Sequence, residues 1–336
     1  MKILVDNSTW SNVGEAWYRF PLYYLLKNIY PEYEVIMGEG PARVTFTVQR
    51  QQQQKNIFDL MQYQKADIHI FSGPILPILL SDYKNKIVEI KKRNAQYALI
   101  SISGTGLSKE RINEIGNFLK EYPPLLFASR DEETYQSFSP FVKNAYNGIC
   151  TSFLANKMIP AQTFQLEKPF FISSFYTELE PYYALDNGKK CSVENLQIRR
   201  QKTCCGLPYK YARHFNFLRP QQVEVGNHLI VRTIQGLNPR FKHINFAMPN
   251  SFISFNPCAY LEITNSSEFV ISDRVHACAT GLAYGKPVRF LFDTPRAGLF
   301  DRMGFDYKSN KGIMYPNPEK IDEEYEKLTT VIKKNI

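Results

Sequence analysis

The chain has 336 residues, 44% of them apolar and 14% aromatic, which is material for two ordinary domains with a full core and excludes a disordered chain. Charged residues make up 22%, near the globular average, and a net charge of +9 favours anionic partners: phosphorylated metabolites, anionic membrane surfaces or nucleic acid. No apolar run reaches the roughly 18 residues of a membrane span, and the apolar start is broken at Asp6, too early for a secretory signal. The six cysteines (Cys150, Cys191, Cys204, Cys205, Cys258, Cys278) form no C-x-x-C pair, so free thiols in a cytoplasmic protein are expected rather than a zinc site.

In chain order, Lys2–Val5 reads as a strand and Gly14–Ile29 as a helix with Trp17, Phe20, Leu22, Leu25 and Leu26 on its buried side. Pro21 must fall in the first turns of that helix or kink it. Glu34–Met37 is a short strand, and Gln49–Lys55 a low-complexity glutamine patch, solvated turn or helix start. A helix is predicted over Ile57–Lys65, then a strand over Asp67–Phe71 that carries His69 as a satisfied core residue and ends at Ser72-Gly73-Pro74. Tyr83–Arg93 reads as a helix and Tyr97–Ser101 as a strand. The turn Ser103-Gly104-Thr105-Gly106 lacks the lysine and spacing of a P-loop. Ser108–Glu121 is a helix capped by Ser108, and the strand Leu125–Ala128 delivers Ser129-Arg130-Asp131 to a helix over Asp131–Phe138. This alternation predicts a doubly wound parallel sheet.

A second sheet is predicted from Phe170–Ser173, His228–Thr233 and His243–Ala247, with a helix over Cys258–Thr264. Residues 178–220 break the rhythm as an insertion or lid. Within them Arg199, Arg200, Lys202, Lys210, Arg213 and Arg219 mix with Tyr209, Tyr211, Phe215 and Phe217. That composition fits an anionic membrane surface, single-stranded nucleic acid or a solvated loop. A helix is predicted around Arg296–Met303. A last one, Pro318–Lys334, carries its acids early and Lys333-Lys334 late, as the helix dipole favours. The predicted fold class is α/β, two Rossmann-like domains facing a cleft. Residues 1–155 form one and 165–317 the other, with a linker in 150–168 and a C-terminal helix over 318–336.

Residues 269–290 are the most informative. Phe269-Val270-Ile271 is a buried strand; Ser272 or Asp273 can cap the next helix; Arg274 and His276 stand in its first turn. Ala277, Ala279, Gly281 and Ala283 give it a slim face, Gly285 ends it, and Lys286-Pro287 leads to a strand over Val288–Phe292. Ligands of open α/β sheets collect outside the carboxyl ends of strands, and helix N–H groups favour anions. An Arg and a His there fit a negatively charged substrate; alternatively they tie a loop down.

The run Ser272-Asp273-Arg274-Val275-His276-Ala277, followed by Gly285-Lys286-Pro287, resembles the S/T-D-R-x-H-x turn and G-x-P of the polysaccharide pyruvyltransferase family. Asn12-Val13-Gly14-Glu15 is similar to its N-x-G-D/E turn, Ala66–Gly73 to its strand with a glycine-rich end, and Ser129-Arg130-Asp131-Glu132-Glu133 to its R-D-E-x-S segment. The resemblance spans 1–155 and 225–310. The family's triple glycine is reduced here to Ser72-Gly73-Pro74, and residues 178–220 match nothing in it.

The resemblance implies a fold similar to GT-B glycosyltransferases. It implies transfer of the pyruvyl unit of phosphoenolpyruvate to a saccharide, commonly as a ketal across two hydroxyls, in cell-surface polysaccharide synthesis. Phosphate is released, and no metal or organic cofactor is required. The acceptor would be a saccharide, free or lipid-linked, meeting the N-terminal domain, with the donor on the C-terminal side. The enzyme would be cytoplasmic, with peripheral contact at the inner membrane face; nucleic acid is not an expected partner. The donor's phosphate and carboxylate suit Arg274, Arg130 and Arg296, since the arginine fork pairs with both. Of five histidines only His276 lies in the predicted crevice, which makes it the general acid. Glu15 is the candidate base, although an acid in a first helical turn also suits the dipole. Asn12, Gly14, Ser72, Gly73, Gly104 and Thr105 occupy acceptor-side turns, where they bind sugar hydroxyls or simply form the turns. Two rival readings are a GT-B-like glycosyltransferase using a nucleotide sugar and a non-enzymatic binder of anionic polymer.

Overall fold

Short runs of branched and aromatic residues, separated by amphipathic segments, make two sheets, one parallel and one parallel except at its two edges. The computed structural model describes residues 1–7, 10, 12–40, 58–199, 203–204, 207–208, 221–236 and 248–336. In the first half, β1 (Lys2–Asn7), β2 (Glu34–Gly38), β3 (Ile68–Gly73), β4 (Gln96–Ile102), β5 (Phe127–Ser129) and β6 (Ala145–Asn147) lie in the order β2-β1-β3-β4-β5-β6, every pair parallel. The central strands are buried on both faces, which is why they read as continuous apolar runs. One face packs on α1 (Ala16–Ile29) through Leu22, Leu25 and Leu26; the other packs on α2 (Lys84–Lys92) and α3 (Lys109–Glu121) through Ile87, Ile90, Ile115 and Leu119. Pro21 lies inside α1, in its second turn. A short helix, α4 (Glu132–Phe138), follows β5 with Asp131 as its cap.

The second sheet contains β7 (Phe170–Ser174), β8 (His228–Thr233), β9 (Val270–Ser272), β10 (Val288–Phe290) and β11 (Ile313–Met314). Its order is β8-β7-β9-β10-β11, with Glu224–Val225 beyond β8; β8, β7, β9 and β10 are mutually parallel. Helices α5 (Pro257–Ser266) and α6 (Val275–Ala283) flank β9 in sequence. The predicted α/β architecture of two Rossmann-like domains is present.

Three local expectations change. Of the helix predicted over Ile57–Lys65, the described residues form only a 3-10 turn, Leu60–Gln62: Asp59 accepts from the Met61 N–H (3.1 Å) and is held by Lys86 (3.2 Å), so the turn is pinned at its start. The strand predicted to Phe292 ends at Phe290, and the helix predicted from Tyr83 begins with a π turn, Leu79–Tyr83. The described part of the insertion pairs Tyr182–Ala184 with Gln197–Arg199 and lays Tyr183 and Leu196 on the second sheet against Phe171 and Ile271. The buried ion pair of Glu180 with Arg232 (2.8 Å) anchors it there. Gln49–Lys55, His243–Ala247 and the basic, aromatic stretch after Arg199, apart from a few of its residues, lie outside the described residues.

The halves join through a shared core. The expected linker holds a buried 3-10 turn, Thr151–Leu154, and a short helix, Ala155–Met158. Val13, Ala16 and Trp17 pack on Tyr260, Ala277 and Tyr284, and Trp17 Nε1 donates to Pro257 O (3.3 Å). The final helix, α7 (Pro318–Asn335), returns to the first domain, where Tyr30 Oη donates to Ile332 O (3.2 Å).

Two outcomes are expected. Trp17→Ala should cost about 3–5 kcal/mol in denaturant unfolding, because it opens a cavity between the halves; a loss below about 1 kcal/mol would show that the seam contributes little. His69 is buried with no partner on Nδ1, and burial, with Arg93 and Lys86 nearby, pushes its pKa down from 6.5 to about 4. The unfolded chain therefore takes the proton first, so stability falls by up to about 3 kcal/mol as pH drops from about 6.5 to 4. His69→Leu should flatten that part of the stability–pH curve, and an unchanged slope would contradict this.

Candidate functional site

The turn after β9 sorts three polar residues into separate tasks. Ser272 Oγ donates to Ser174 O (2.6 Å) and accepts from the Arg274 N–H (2.9 Å). Asp273 turns inward, and Arg274 and His276 face the cleft at the start of α6. Arg274 itself is the N-cap residue, without a side-chain cap bond, so neither Ser272 nor Asp273 occupies the predicted capping position. Asp273 instead accepts three consecutive backbone N–H groups, of Tyr176 (3.1 Å), Thr177 (2.5 Å) and Glu178 (2.7 Å). Burial pushes its carboxyl up; the N–H donors and Arg274 act against this. The segment after β7 is thereby fastened to the start of α6, with the Tyr176 ring 4.8 Å from the Arg274 guanidinium.

From the first domain, Asn12 caps the 3-10 turn Val13–Glu15. Its Oδ1 accepts from the Gly14 N–H (3.2 Å) and from Arg274 Nη2 (2.7 Å). The Val13 N–H donates to Gln235 O (2.8 Å), so the halves touch beside the cleft. Arg130 follows β5, with its N–H on Ile102 O (2.9 Å) and its side chain 1% exposed. Asp131 does not pair with it but caps α4 through the Thr134 N–H (2.8 Å). Arg130 Nη1 lies 3.1 Å from His276 Nε2, while Nε and Nη2 have no hydrogen-bond partner. Burial holds His276 well below the usual histidine range, and Arg130, Arg274, Arg296 and Arg19 push the same way. The Tyr18 ring packs on the imidazole at 4.8 Å, and burial pushes its phenol up. Glu15 lies 3.3 Å from Arg19, one helical turn on, and keeps 37% of its side chain exposed. Arg296 is exposed, in the 3-10 turn Pro295–Ala297.

Asn12, Glu15, Arg130, Arg274, His276 and Arg296 all line one cavity of about 230 Å³. Gly14, Ser72, Gly73, Gly104 and Thr105 are not among its lining residues. Gly14 packs on Gln235 and Asn12, and Ser72 is fully buried in β3. Gly73, at φ +89°, makes room for Tyr18: a Cβ there would fall 2.3 Å from the phenol oxygen. The Gly104 N–H is taken by Thr134 Oγ1 (2.9 Å), and Thr105 sits half-exposed in that turn. At Ser72–Gly73 it is Pro74 that reaches the cavity. Sequence reasoning missed Tyr18, Tyr176 and the clamp made by Asp273. Tyr18 stands three residues after Glu15 on one helix face, and Tyr176 just beyond a strand end; both spacings were signals. A second cavity, about 340 Å³, lies at the other end of α6, where its Lys157 is paired with Asp322 (2.8 Å). The first cavity gathers three guanidiniums around a neutral imidazole with a carboxylate across the cleft, an arrangement suited to a small polyanion.

Solved structures with this fold include a putative UDP-N-acetylglucosamine 2-epimerase from Listeria monocytogenes, 12% identical, with a TM-score of 0.56 over 99% of this chain and 96% of that one. MnaA from S. aureus in complex with UDP is 13% identical, with a TM-score of 0.52 over 98% of this chain and 88% of that one. At such identities the likeness shows the fold, a GT-B-like pair of parallel-sheet domains. No curated protein sequence matches significantly. A family model described as polysaccharide pyruvyl transferase matches residues 12–291, from the Asn12 turn through the Arg274–His276 turn and β10, and the chain belongs to that family.

Proposed function

We propose that this protein transfers the pyruvyl group of phosphoenolpyruvate to a saccharide of a cell-surface polysaccharide, as a ketal across two hydroxyls, with release of phosphate. Membership of the family implies polysaccharide pyruvylation. The observation that carries the donor assignment is Arg130, a buried guanidinium with two nitrogens unpartnered and a third on a neutral ring. A buried cation left so costs several kcal/mol, and an oxyanion held by its fork offsets that cost. Arg274 and Arg296 add charge for a donor with both a phosphate and a carboxylate.

In this reading His276 protonates the methylene carbon of the donor and C2 becomes electrophilic. One sugar hydroxyl attacks C2, the C2–O bond to phosphate breaks, and the second hydroxyl closes the ketal. Two hydroxyl protons are lost: one balances the proton gained by the new methyl group, and the other leaves through Glu15 to phosphate or solvent. Asn12 and Tyr176 stand at the cavity wall where the acceptor would enter. No helix among the described residues is long and apolar enough to cross a membrane. We further propose that a lipid-linked acceptor is met from the cytoplasm, by peripheral contact at the inner face.

The test is phosphate release from phosphoenolpyruvate with galactose-, mannose- and N-acetylhexosamine-containing acceptors, free and lipid-linked, with products read by NMR. Acceptor-dependent release with a ketal methyl signal is expected. Turnover of a nucleotide sugar and none of phosphoenolpyruvate would overturn the reading in favour of glycosyl transfer. His276→Gln should keep its melting temperature and lose about 100-fold or more in kcat, and unchanged kcat would remove its role as acid. Arg274→Ala should raise the donor KM by about 10-fold or more, and an unchanged donor KM would remove Arg274 from the donor site.

A further inference from the structure

The contact between Arg130 and His276 has a direction. A guanidinium N–H can only donate, so His276 Nε2, 3.1 Å from Nη1, must accept, and the ring's proton resides on Nδ1. In that state the nitrogen that faces the cleft's cations has no proton to give. Burial keeps it so, and the charges around the ring act in the same direction. Arg274 stands on its own turn, Arg130 after β5, Arg296 on the Pro295–Ala297 turn and Arg19 on α1; Tyr18, a neutral phenol, covers one face. The two nearby carboxylates are engaged elsewhere, Asp273 by three backbone N–H groups and Glu15 by Arg19. The protein thus supplies an acid residue without its proton and, beside it, an arginine with two unused nitrogens.

Resting on the donor assignment above, we infer that the donor exchanges places with His276 on Arg130. Its oxyanions take the unpartnered Nε and Nη2 together with the Nη1 hydrogen bond, and the Nε2 lone pair so released accepts one proton from solvent. The incoming anion also offsets the field of the guanidiniums at the ring, which favours the protonated imidazole. Near pH 8 phosphoenolpyruvate carries no proton of its own to deliver, so the proton comes from the buffer. It leaves on the methylene carbon during turnover, and the neutral ring returns to Arg130 when the product departs. His276 is thereby armed only with the donor in place, because Arg130 releases it when it binds the donor.

The test is calorimetric titration of phosphoenolpyruvate into the protein near pH 8, in buffers of different ionisation enthalpy. Uptake of roughly one proton per donor bound is expected, and none in His276→Gln, where the amide oxygen can still receive Arg130. In parallel, histidine ¹⁵N NMR should show a neutral ring protonated on Nδ1 without donor and an imidazolium with it. Donor binding without buffer-dependent heat, or uptake that persists in His276→Gln, would overturn the exchange while leaving the donor assignment standing. No binding of phosphoenolpyruvate at all would overturn both.

Discussion

The start of α1 lies directly on the second domain, and the distances in the cleft depend on that seam. Val13 and Trp17 are buried against Tyr260, Ala277 and Tyr284, and the Val13 N–H is bonded to Gln235 O. Asn12, Glu15 and Tyr18 belong to the same few residues. Fixing this turn on α6 therefore fixes the Asn12–Arg274 bond and the Tyr18–His276 contact together. Two-domain proteins with small polar interfaces move by default, whereas an apolar one such as this holds a preformed geometry. Arg302 makes a tie on the far side, donating to Asn147 O and to Glu324 (both 2.8 Å).

On that frame the charges are divided by task. Four carboxylates near the cleft have partners in the protein: Asp273 clamps the Tyr176 segment, Asp131 caps α4, and Glu15 and Asp6 meet Arg19. The cations are not matched in the same way. Arg274 meets a neutral amide and an aromatic ring, and Arg130 meets a neutral imidazole. A local excess of positive charge in a concave, half-buried site favours a ligand with more than one negative charge. Burial keeps the imidazole neutral and the same excess adds to it, so substrate binding and acid activation share an electrostatic cause.

What was legible in the sequence followed from chain geometry. Arg130 and Arg274 each stand one or two residues past a strand, and the strand-end rule carried both, with His276, to the cleft. Contacts between distant segments were not legible. Gly73 read as a ligand-facing turn because its partner, Tyr18, is 55 residues away in sequence; its positive φ serves the packing of that ring. Asp273 read as a cap because a carboxylate before a helix commonly is one; the three N–H groups it accepts belong to a loop that no local pattern places beside it. The helix expected over Ile57–Lys65 failed for a similar reason, since Lys86 pins Asp59 from another element.

The most direct measurement is a crystal structure of the protein with phosphoenolpyruvate. The expected result has the donor in the cavity between Asn12 and Arg296, its oxyanions on Arg130 and Arg274, and His276 Nε2 facing the methylene carbon with Arg130 withdrawn from it. A donor bound elsewhere, or bound in this cavity with Arg130 Nη1 still on His276, would contradict the account.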